Sequence, residues 1–311
     1  MMDNASAMSV FTLSAFSGTE RYRIPLFVVT FLCYCVIWLV NLTIIVTIIV
    51  DKNLHEPIFL CNLCINGLYG TAGFYPKFLS DLLSSTHVIS YVGCLLQGFV
   101  VHSSVSADFT LLALMALDRY VALCHPLKYH SVMTRQRMGM LLLCAWLIPH
   151  FALILSTVPT SMLTLCGSQI PKIYCINYLV GKLACTPSLS NVIVPAINYS
   201  FFAGHFLIVI LSYIYLVRMC VKSKEGRSKF MKTCLPHLIC LITYFVSLLF
   251  DLVFIRFGSK AVSQDLLNFM AIEFFIVPPI VNPLIYGLKL TKIRNKVAQF
   301  ICSKKQKSIK P

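Results

Sequence analysis

Long apolar runs recur along the chain, and short polar segments separate them. Seven of these runs reach the roughly 20 residues that an α-helix needs to cross the hydrocarbon core of a bilayer. They cover residues 26–50, 57–80, 95–117, 138–158, 191–217, 233–255 and 266–288. The second run has the weakest pattern, because asparagines and glycines interrupt it. The pattern predicts an all-α membrane protein built as a seven-transmembrane helix bundle.

Composition supports this class. Hydrophobic residues make up 58% of the 311 residues and charged residues only 12%, whereas a soluble domain carries about 25% charged residues. We therefore expect an extracellular N-terminus over residues 1–25, the bundle over 26–288 and a basic cytoplasmic tail over 289–311. The tail has the spacing of a short amphipathic helix lying on the membrane, with one apolar side formed by Ile293, Val297, Phe300 and Ile301.

Lysines and arginines are distributed unevenly between the segments that join the runs. With the N-terminus outside, nineteen of the 26 lie on the inner side, which is the bias that cytoplasmic loops show. Arg21 and Arg23 disagree with this bias, because they flank the outer end of the first run. The overall imbalance predicts a multi-pass protein of the plasma membrane with its N-terminus outside the cell.

The net charge of +15 has two readings. Nucleic-acid-binding proteins are often this basic, but they present the charge on a soluble face. Here the charge is concentrated in inner loops, where it favours contact with an anionic leaflet of the lipid bilayer. No nucleic-acid partner is expected.

Two features of the expected outer side agree with this orientation. Asn4 begins a glycosylation sequon, Asn4-Ala5-Ser6. Four of the 14 cysteines also fall on this side, namely Cys94, Cys166, Cys175 and Cys185. In an oxidising compartment they can form two disulfides, with three possible connectivities.

Ionisable residues within an apolar run are costly, so each one is a candidate functional residue. Asp108 lies in the middle of the third run. It either pairs with a cation or remains protonated and hydrogen-bonded to polar groups such as Asn62, Asn66 or Asn282. Cys61 and Cys64 form a CxxC pair, but no second pair of ligands is nearby. We expect no cofactor. The one metal candidate is a weak sodium site at Asp108.

Polar side chains also gather at the inner ends of the runs. Asp118 and Arg119 end the third run, and Tyr213 and Tyr286 reach a similar depth in the fifth and seventh. Pro283 kinks the seventh helix and can act as a hinge. Either these side chains form a network that can rearrange, or they never meet. In the second case Arg119 extends to the membrane interface beside Asp118, and the tyrosines only face that interface.

Several motifs resemble one family of receptors. MALDRYVALCHPLKY (115–129) is similar to the MAYDRYVAICxPLxY stretch of olfactory receptors, which are rhodopsin-like G-protein-coupled receptors. Further family motifs follow in order, namely LHEP (54–57), SYIYL (212–216), KTCLPHL (232–238) and PPIVNPLIYGLK (278–289). NLCINGLYGTAGFYPKFL (62–79) resembles fish odorant receptors. The resemblance covers nearly the whole chain.

The resemblance implies roles for individual residues. Cys94 would bridge Cys175, and Cys166 would bridge Cys185. Arg119 would be held by Asp118 in the resting state and would swing toward Tyr213 and the G protein on activation. The residues implied in coupling and switching are Asp118, Arg119, Tyr120, Tyr213, Asn282, Pro283 and Tyr286.

The family also implies a ligand site in the outer half of the bundle. Helical spacing from Arg119 selects candidates on the third, fifth and sixth runs, namely Val101, His102, Val105, Ser106, Ile197, Phe201, Phe245, Leu248 and Leu252. Most of them are apolar, which suits small organic molecules with one or two polar groups. His102 would donate one hydrogen bond, or it is simply satisfied by neighbouring helices.

These features predict an odorant receptor, and not an enzyme, that binds a small molecule from outside. As the family implies, it would activate a stimulatory heterotrimeric G protein and raise cyclic AMP. The alternative is a rhodopsin-like receptor for a non-odorant small molecule, expressed outside olfactory tissue. A transporter or channel is disfavoured, because neither an inverted repeat nor several paired intramembrane charges are evident.

The chain departs from the family pattern slightly at Leu117, where the family has a tyrosine, and more substantially in two other places. Two residues are missing near Pro57 and Ile58, and a two-residue loss rotates one part of a helix by about 200° relative to the other. If the loop does not absorb this rotation, the second span is misregistered and the chain is a non-signalling relic. Gly67 replaces the usual acid of the second span, which weakens the sodium hypothesis at Asp108.

Overall fold

The computed structural model describes residues 10–16, 20–50, 58–186, 190–220 and 263–289, together with single positions between 228 and 249. Some side chains within 190–220 and at the end of the last helix are not described. Asn4, the loop 51–57 with the missing residues, and the tail beyond Lys289 lie outside the described residues.

Helices dominate the described part of the chain. Six of them are long: α1 (Arg23–Val50), α2 (Ile58–Leu83), α3 (Tyr91–Cys124), α5 (Arg135–Ser161), α7 (Ser190–Cys220) and α8 (Gln264–Lys289). Two are short: α4 (Tyr129–Val132) and α6 (Asn177–Lys182). The long helices coincide with six of the seven predicted runs. The described positions within the remaining run, 233–255, are all helical.

Four of the described helices are long and apolar enough to cross a membrane: Arg23–Val50, Tyr91–Ala122, Arg135–Ser161 and Gln264–Ile285. They expose large apolar side chains, such as Leu39 on α1 and Phe151 on α5. Such exposure is costly in water but favourable against lipid. The helices of the bundle are therefore membrane spans, as the sequence predicted.

Helix α3 occupies the centre of the bundle, where it contacts α2, α5 and α7. Its outer half contributes to a large outer core together with α2 and α8, which includes Phe74, Val101, Val105 and Phe275. Its inner half contributes Leu111, Leu112 and Met115 to a separate inner core with α2, α5 and α7. One helix thus spans from the outer core to the Asp118–Arg119 pair.

A small sheet, which the sequence did not predict, covers the end of the bundle that we expect to lie outside the cell and call the outer end. Strand β1 (Val10–Leu13) pairs antiparallel with β2 (Val88–Ser90) and parallel with β3 (Gln169–Ile170). Phe11 and Leu13 are buried beneath it. The N-terminal segment is therefore a packed part of the fold, whereas we expected only an extracellular terminus.

Two disulfides fix the loops of the outer end. Cys94 pairs with Cys175 and Cys166 pairs with Cys185, which confirms the connectivity that the family resemblance implied. Cys94 lies in the first turn of α3. The first bridge therefore ties the second outer loop to the central helix.

Arg23 lies at the end of the bundle that the sequence predicts to be outside the cell, against the predicted charge bias. Its guanidinium donates hydrogen bonds to the carbonyl oxygens of Leu82 and Ser84. These carbonyls belong to the C-terminal end of α2, where backbone oxygens lack helical partners and carry partial negative charge. Arg23 of α1, which departs from the predicted charge bias, thus caps the C-terminal end of α2.

Candidate functional site

The inner end of α3 holds the predicted switch pair. Asp118 is buried, with only 5% of its surface exposed. Its Oδ2 lies 3.9 Å from Nε of Arg119, and the Arg119 side chain is about one-third exposed. A buried carboxylate beside a partly exposed guanidinium gives the arginine a partner within the protein while leaving it access to the inner surface.

A second partner of Asp118 comes from the inner loop. The hydroxyl of Tyr129 donates a hydrogen bond of 2.8 Å to Oδ1 of Asp118. This contact follows from the local sequence, because Pro126 cannot continue α3 and the chain turns through residues 126–128 into α4. Tyr129 stands in the motif that carried the family resemblance, but spacing alone gave it no role.

The pair opens into a cleft at the inner surface. The cleft has a volume of about 230 Å³ and is lined by Asp118, Arg119, Ala122, Pro126, Tyr129 and His130. Its lining combines the charged side chains of Asp118 and Arg119 with apolar surface, at one end of the central helix.

The other predicted switch residues occupy different surroundings. Tyr213 is buried in the inner core beside α3. Tyr120 packs edge-on against Tyr215 of α7, with ring centroids 5.4 Å apart. An aromatic contact between α3 and α7 thus involves Tyr215, which the sequence did not single out. The side chain of Tyr286 lies outside the described residues.

The Asn282-Pro283 motif frees a backbone carbonyl that another helix then uses. Pro283 has no N–H, so the oxygen of Pro279 lacks its ordinary helical donor. Asn41 of α1 supplies the missing donor through its Nδ2, 2.9 Å away. Asn282 and Pro283 are themselves buried. The kinked part of α8 is therefore fastened to α1.

The next proline creates a second anchor of the same kind. Pro279 removes the donor to Phe275, and the hydroxyl of Tyr75 on α2 donates to that carbonyl across 3.3 Å. Tyr75 is fully buried. Sequence reasoning treated these prolines only as a hinge, but the structure shows both freed carbonyls bonded to neighbouring helices.

Asp108 faces polar groups of α2 inside the bundle. Nδ2 of Asn66 donates to Oδ1 of Asp108 at 2.6 Å and to the carbonyl of Ser104 at 2.8 Å. A cavity of about 20 Å³ adjoins Asp108, with Thr71 and Ser104 as its other polar lining, which is room for about one water molecule. The rest of the lining is mainly apolar and includes Val101, Val105, Phe274 and Phe275.

The predicted ligand-pocket residues fall into two groups. Val101, Val105 and Leu248 are buried in the outer core, and Phe245 packs against it. Phe245 also stacks on Phe206 of α7, with centroids 3.5 Å apart. The structure therefore brings these members together. The side chains of Ile197 and Phe201, and the whole of Leu252, lie outside the described residues.

The two polar members of the predicted pocket also bond within α3. Nδ1 of His102 lies 2.8 Å from the carbonyl of Gly98, and the hydroxyl of Ser106 donates to the carbonyl of His102. Because a carbonyl oxygen only accepts, Nδ1 of His102 carries the proton in this contact. His102 therefore has a hydrogen-bond partner within its own helix.

Comparisons with known proteins agree with this architecture. A family model described as olfactory receptor matches residues 30–304. Human olfactory receptor 10H4 is 32% identical over 94% of this chain and 95% of its own length, and human olfactory receptor 6K3 is 32% identical over 97% and 92%. The crystal structure of squid rhodopsin is similar in fold, with a TM-score of 0.71 at 16% identity, over 90% of this chain and 85% of that one. The fold is that of a rhodopsin-like seven-helix receptor, and the chain belongs to the olfactory receptor family.

Proposed function

We propose that this receptor binds a small organic odorant in the outer half of the bundle and activates a stimulatory heterotrimeric G protein, raising cyclic AMP. The observation that carries the proposal is the course of α3. Its outer half lies in the apolar core beside Val101 and Val105, and its inner end holds Asp118 and Arg119 at an open cleft. A ligand that shifts α3 would change the surroundings of both ends at once.

The proposed switch uses the groups around Arg119. Asp118 holds the guanidinium in the resting state, and activation releases it toward Tyr213 and the G protein. Tyr120, Asn282, Pro283 and Tyr286 belong to the same proposed mechanism. Burial of Asp118 supports this role, because a charge pair in a low dielectric is stronger than one in water.

The proposed ligand is apolar, with one hydrogen-bonding group. Val101, Val105, Phe245 and Leu248 supply apolar contacts, and Ile197, Phe201 and Leu252 complete the proposed lining. His102 and Ser106 are its polar members. We propose that one of these two side chains exchanges a hydrogen bond with the polar group of the ligand.

The proposed orientation places the N-terminus and the sheet β1–β2–β3 outside the cell. Both disulfides lie at this end of the bundle, and disulfides persist in oxidising compartments. Asn4 would then be glycosylated, and the domains would be residues 1–25 outside, 26–288 in the plasma membrane and 289–311 as the cytoplasmic tail. An epitope at residue 1 that antibody detects on intact cells would test this orientation.

Asp108 remains a weak candidate for a sodium ion. The adjoining cavity offers oxygen atoms from three side chains, but only one of them is a carboxylate, since Gly67 stands where the family carries an acid. Replacing sodium by choline should change basal signalling less than twofold (about 0.4 kcal/mol). A larger effect that Asp108→Asn removes would establish the ion as a regulator.

The experiment that tests the proposal is a reporter screen. The full chain is expressed with a cyclic AMP reporter and exposed to acids, amines, aldehydes and steroids. A response that Val105→Phe reduces at unchanged surface expression would support both the ligand site and the coupling. A response carried by another G protein, without cyclic AMP, would overturn the stimulatory assignment.

A further inference from the structure

The second outer loop passes into the bundle between strand β3 and helix α6. Residues 173–176 are all buried, each at most 4% exposed, and they belong to the outer core. Their middle is fixed at the start of α3, because Cys175 forms the disulfide with Cys94. We call residues 173–176 the roof segment, since they cover the core at the outer end.

The roof segment contacts a wall of the proposed ligand site. The ring of Tyr174 packs edge-on against Phe275 of α8, with centroids 5.2 Å apart. Phe275 lines the cavity beside Asp108 together with Val101 and Val105, which are candidate ligand-site residues. A molecule that comes from the outer end therefore has to displace the roof segment to reach them.

One side chain of α3 ties the backbone of the roof segment to a second helix. Gln97 is buried, with 6% of its surface exposed. Its Oε1 accepts a hydrogen bond of 2.9 Å from the backbone N–H of Cys175. Its Nε2 donates across 3.1 Å to the carbonyl of Gly73 on α2. The disulfide holds the side chain of Cys175, whereas Gln97 holds its backbone and joins it to α2.

We propose that Gln97 is the positioning residue that keeps the roof segment closed over the ligand site and so sets how fast small molecules enter and leave. This inference rests on the proposed function, because it places the ligand in the outer half of the bundle. An amide donates and accepts at once, so both contacts are made away from water. When the roof segment opens, the buried N–H of Cys175 loses its partner, which is costly.

The proposal predicts an effect on rates without an equal effect on affinity. The same opening admits a ligand and releases it, so a roof segment that opens more often raises the association and dissociation rates together. Their ratio, the dissociation constant, stays close to its wild-type value. A variant that merely distorted the ligand site would weaken binding mainly through faster dissociation.

Gly98 offers a second way to loosen the roof segment. It allows Asn177, the residue that follows the roof segment, to lie against α3. A Cβ at position 98 would be 2.7 Å from Oδ1 of Asn177 and 3.4 Å from its backbone nitrogen. Asn177 cannot turn away freely, because its Nδ2 donates to Oγ1 of Thr157 at 2.7 Å. Gly98→Ala should therefore push this end of the roof segment outward while leaving Gln97 in place.

A thiol placed beneath the roof segment tests the proposal without a known odorant. The receptor carrying Val101→Cys is held in lipid nanodiscs and treated with trimethylammonium-ethyl methanethiosulfonate, a water-soluble reagent that forms a mixed disulfide with a thiol. Peptide mass spectrometry gives the rate of modification at each cysteine. Adding Gln97→Met, which keeps the length of the side chain but loses both hydrogen bonds, should raise the rate at the introduced thiol about tenfold.

Two controls separate the roof segment from the rest of the bundle. Tyr91→Phe removes a hydrogen bond to Ser161 at the same outer end and should leave the rate unchanged. The native thiol of Cys64 is buried on α2 in a different cluster, and its rate should stay constant in every variant. A parallel rise at Cys64 would show that Gln97→Met loosens the whole bundle, which would overturn the proposal.

Equal rates at the introduced thiol with and without Gln97→Met would also overturn it. If that variant does not fold, Gly98→Ala decides by the same two outcomes, since it should also raise the rate at the introduced thiol and leave Cys64 unchanged. These rates are independent of the reporter screen. A receptor that answers no odorant counts against the proposed function, whereas unchanged rates count against the roof segment.

Discussion

The hydroxyl of Tyr129 donates a 2.8 Å hydrogen bond to the buried carboxylate of Asp118, from the first residue of an inner-loop helix to the end of α3. Asp118 also lies beside Arg119. The loop that borders the inner cleft is thus tied directly to the pair that we propose as the switch. Any change that releases Asp118 from Tyr129 should alter how firmly Arg119 is held.

Tyr129→Phe should raise ligand-independent signalling. The variant removes one hydrogen bond to a charged group, worth about 1.5–3 kcal/mol, while keeping the aromatic ring. If this bond restrains the resting state, basal G-protein activation should rise by about tenfold or more. The measurement is basal reporter output normalised to receptor at the cell surface.

Tyr91→Phe is a matched control for that experiment. It removes a hydroxyl that donates to the carbonyl of Ser161 at the outer end, far from Asp118. Its basal output should equal that of wild type. Unchanged output from Tyr129→Phe would show that the hydrogen bond does not restrain the switch.

Tyr75→Phe should destabilise the bundle through α8. The variant removes the hydroxyl that donates to the buried carbonyl of Phe275. Pro279 has no N–H to replace it. An unsatisfied buried acceptor costs about 1–3 kcal/mol, so the thermal midpoint in detergent should fall by several degrees. Tyr22→Phe, at an exposed position, should leave it unchanged. Equal midpoints for the two variants would contradict the anchoring role of Tyr75.

Gly70→Ala should weaken the contact between α2 and α3. A Cβ at this position would lie 2.2 Å from Oγ and 2.8 Å from Cβ of Ser104, so the helices would have to separate. Such overpacking costs about 1–3 kcal/mol. Gly139→Ala is the control, because nothing lies within 4 Å of its Cβ, and there alanine should stabilise the helix by about 0.5–1 kcal/mol. Opposite shifts in the thermal midpoint are expected, and a stabilised Gly70→Ala variant would refute the close approach.

The two disulfides should differ in their contribution to stability. Cys94–Cys175 joins residues 81 positions apart and Cys166–Cys185 joins residues 19 apart. In the chain-entropy model these loops correspond to about 4.5 and about 3 kcal/mol. Removing the first pair with serines should therefore lower surface expression more than removing the second, and Cys144→Ser, an exposed free cysteine, should have no effect. The reverse order would show that strain or packing, and not loop length, determines how much each disulfide stabilises the receptor.

The spans were predictable from sequence because crossing a membrane imposes a length and an apolar composition on each helix. The structure extends α3 to Cys124, beyond the predicted end at residue 117, since a helix continues past the hydrocarbon until a residue such as Pro126 stops it. Strand β1 was not predictable. It has four residues, and its partners lie about 80 and 160 positions away, so no local pattern marks it.

The candidate site was predictable only in part. Motif and spacing selected Asp118, Arg119 and the residues of the outer core. They did not select Tyr129, Tyr75 or Asn41, whose roles depend on which carbonyl or carboxylate a distant helix brings within reach. Hydrogen bonds between helices depend on how each helix is rotated about its axis and how deep it lies in the membrane. The hydropathy pattern determines neither of these accurately.

The central claim is that Arg119 couples the bundle to the G protein, and one measurement on Arg119→Ala tests it most directly. Ligand binding and nucleotide exchange on the G protein are measured in the same nanodisc preparation, with a ligand found in the reporter screen. Arg135→Ala, at an exposed inner position, serves as the control. We predict that Arg119→Ala binds the ligand as wild type does but no longer stimulates exchange, and unchanged exchange would contradict the claim.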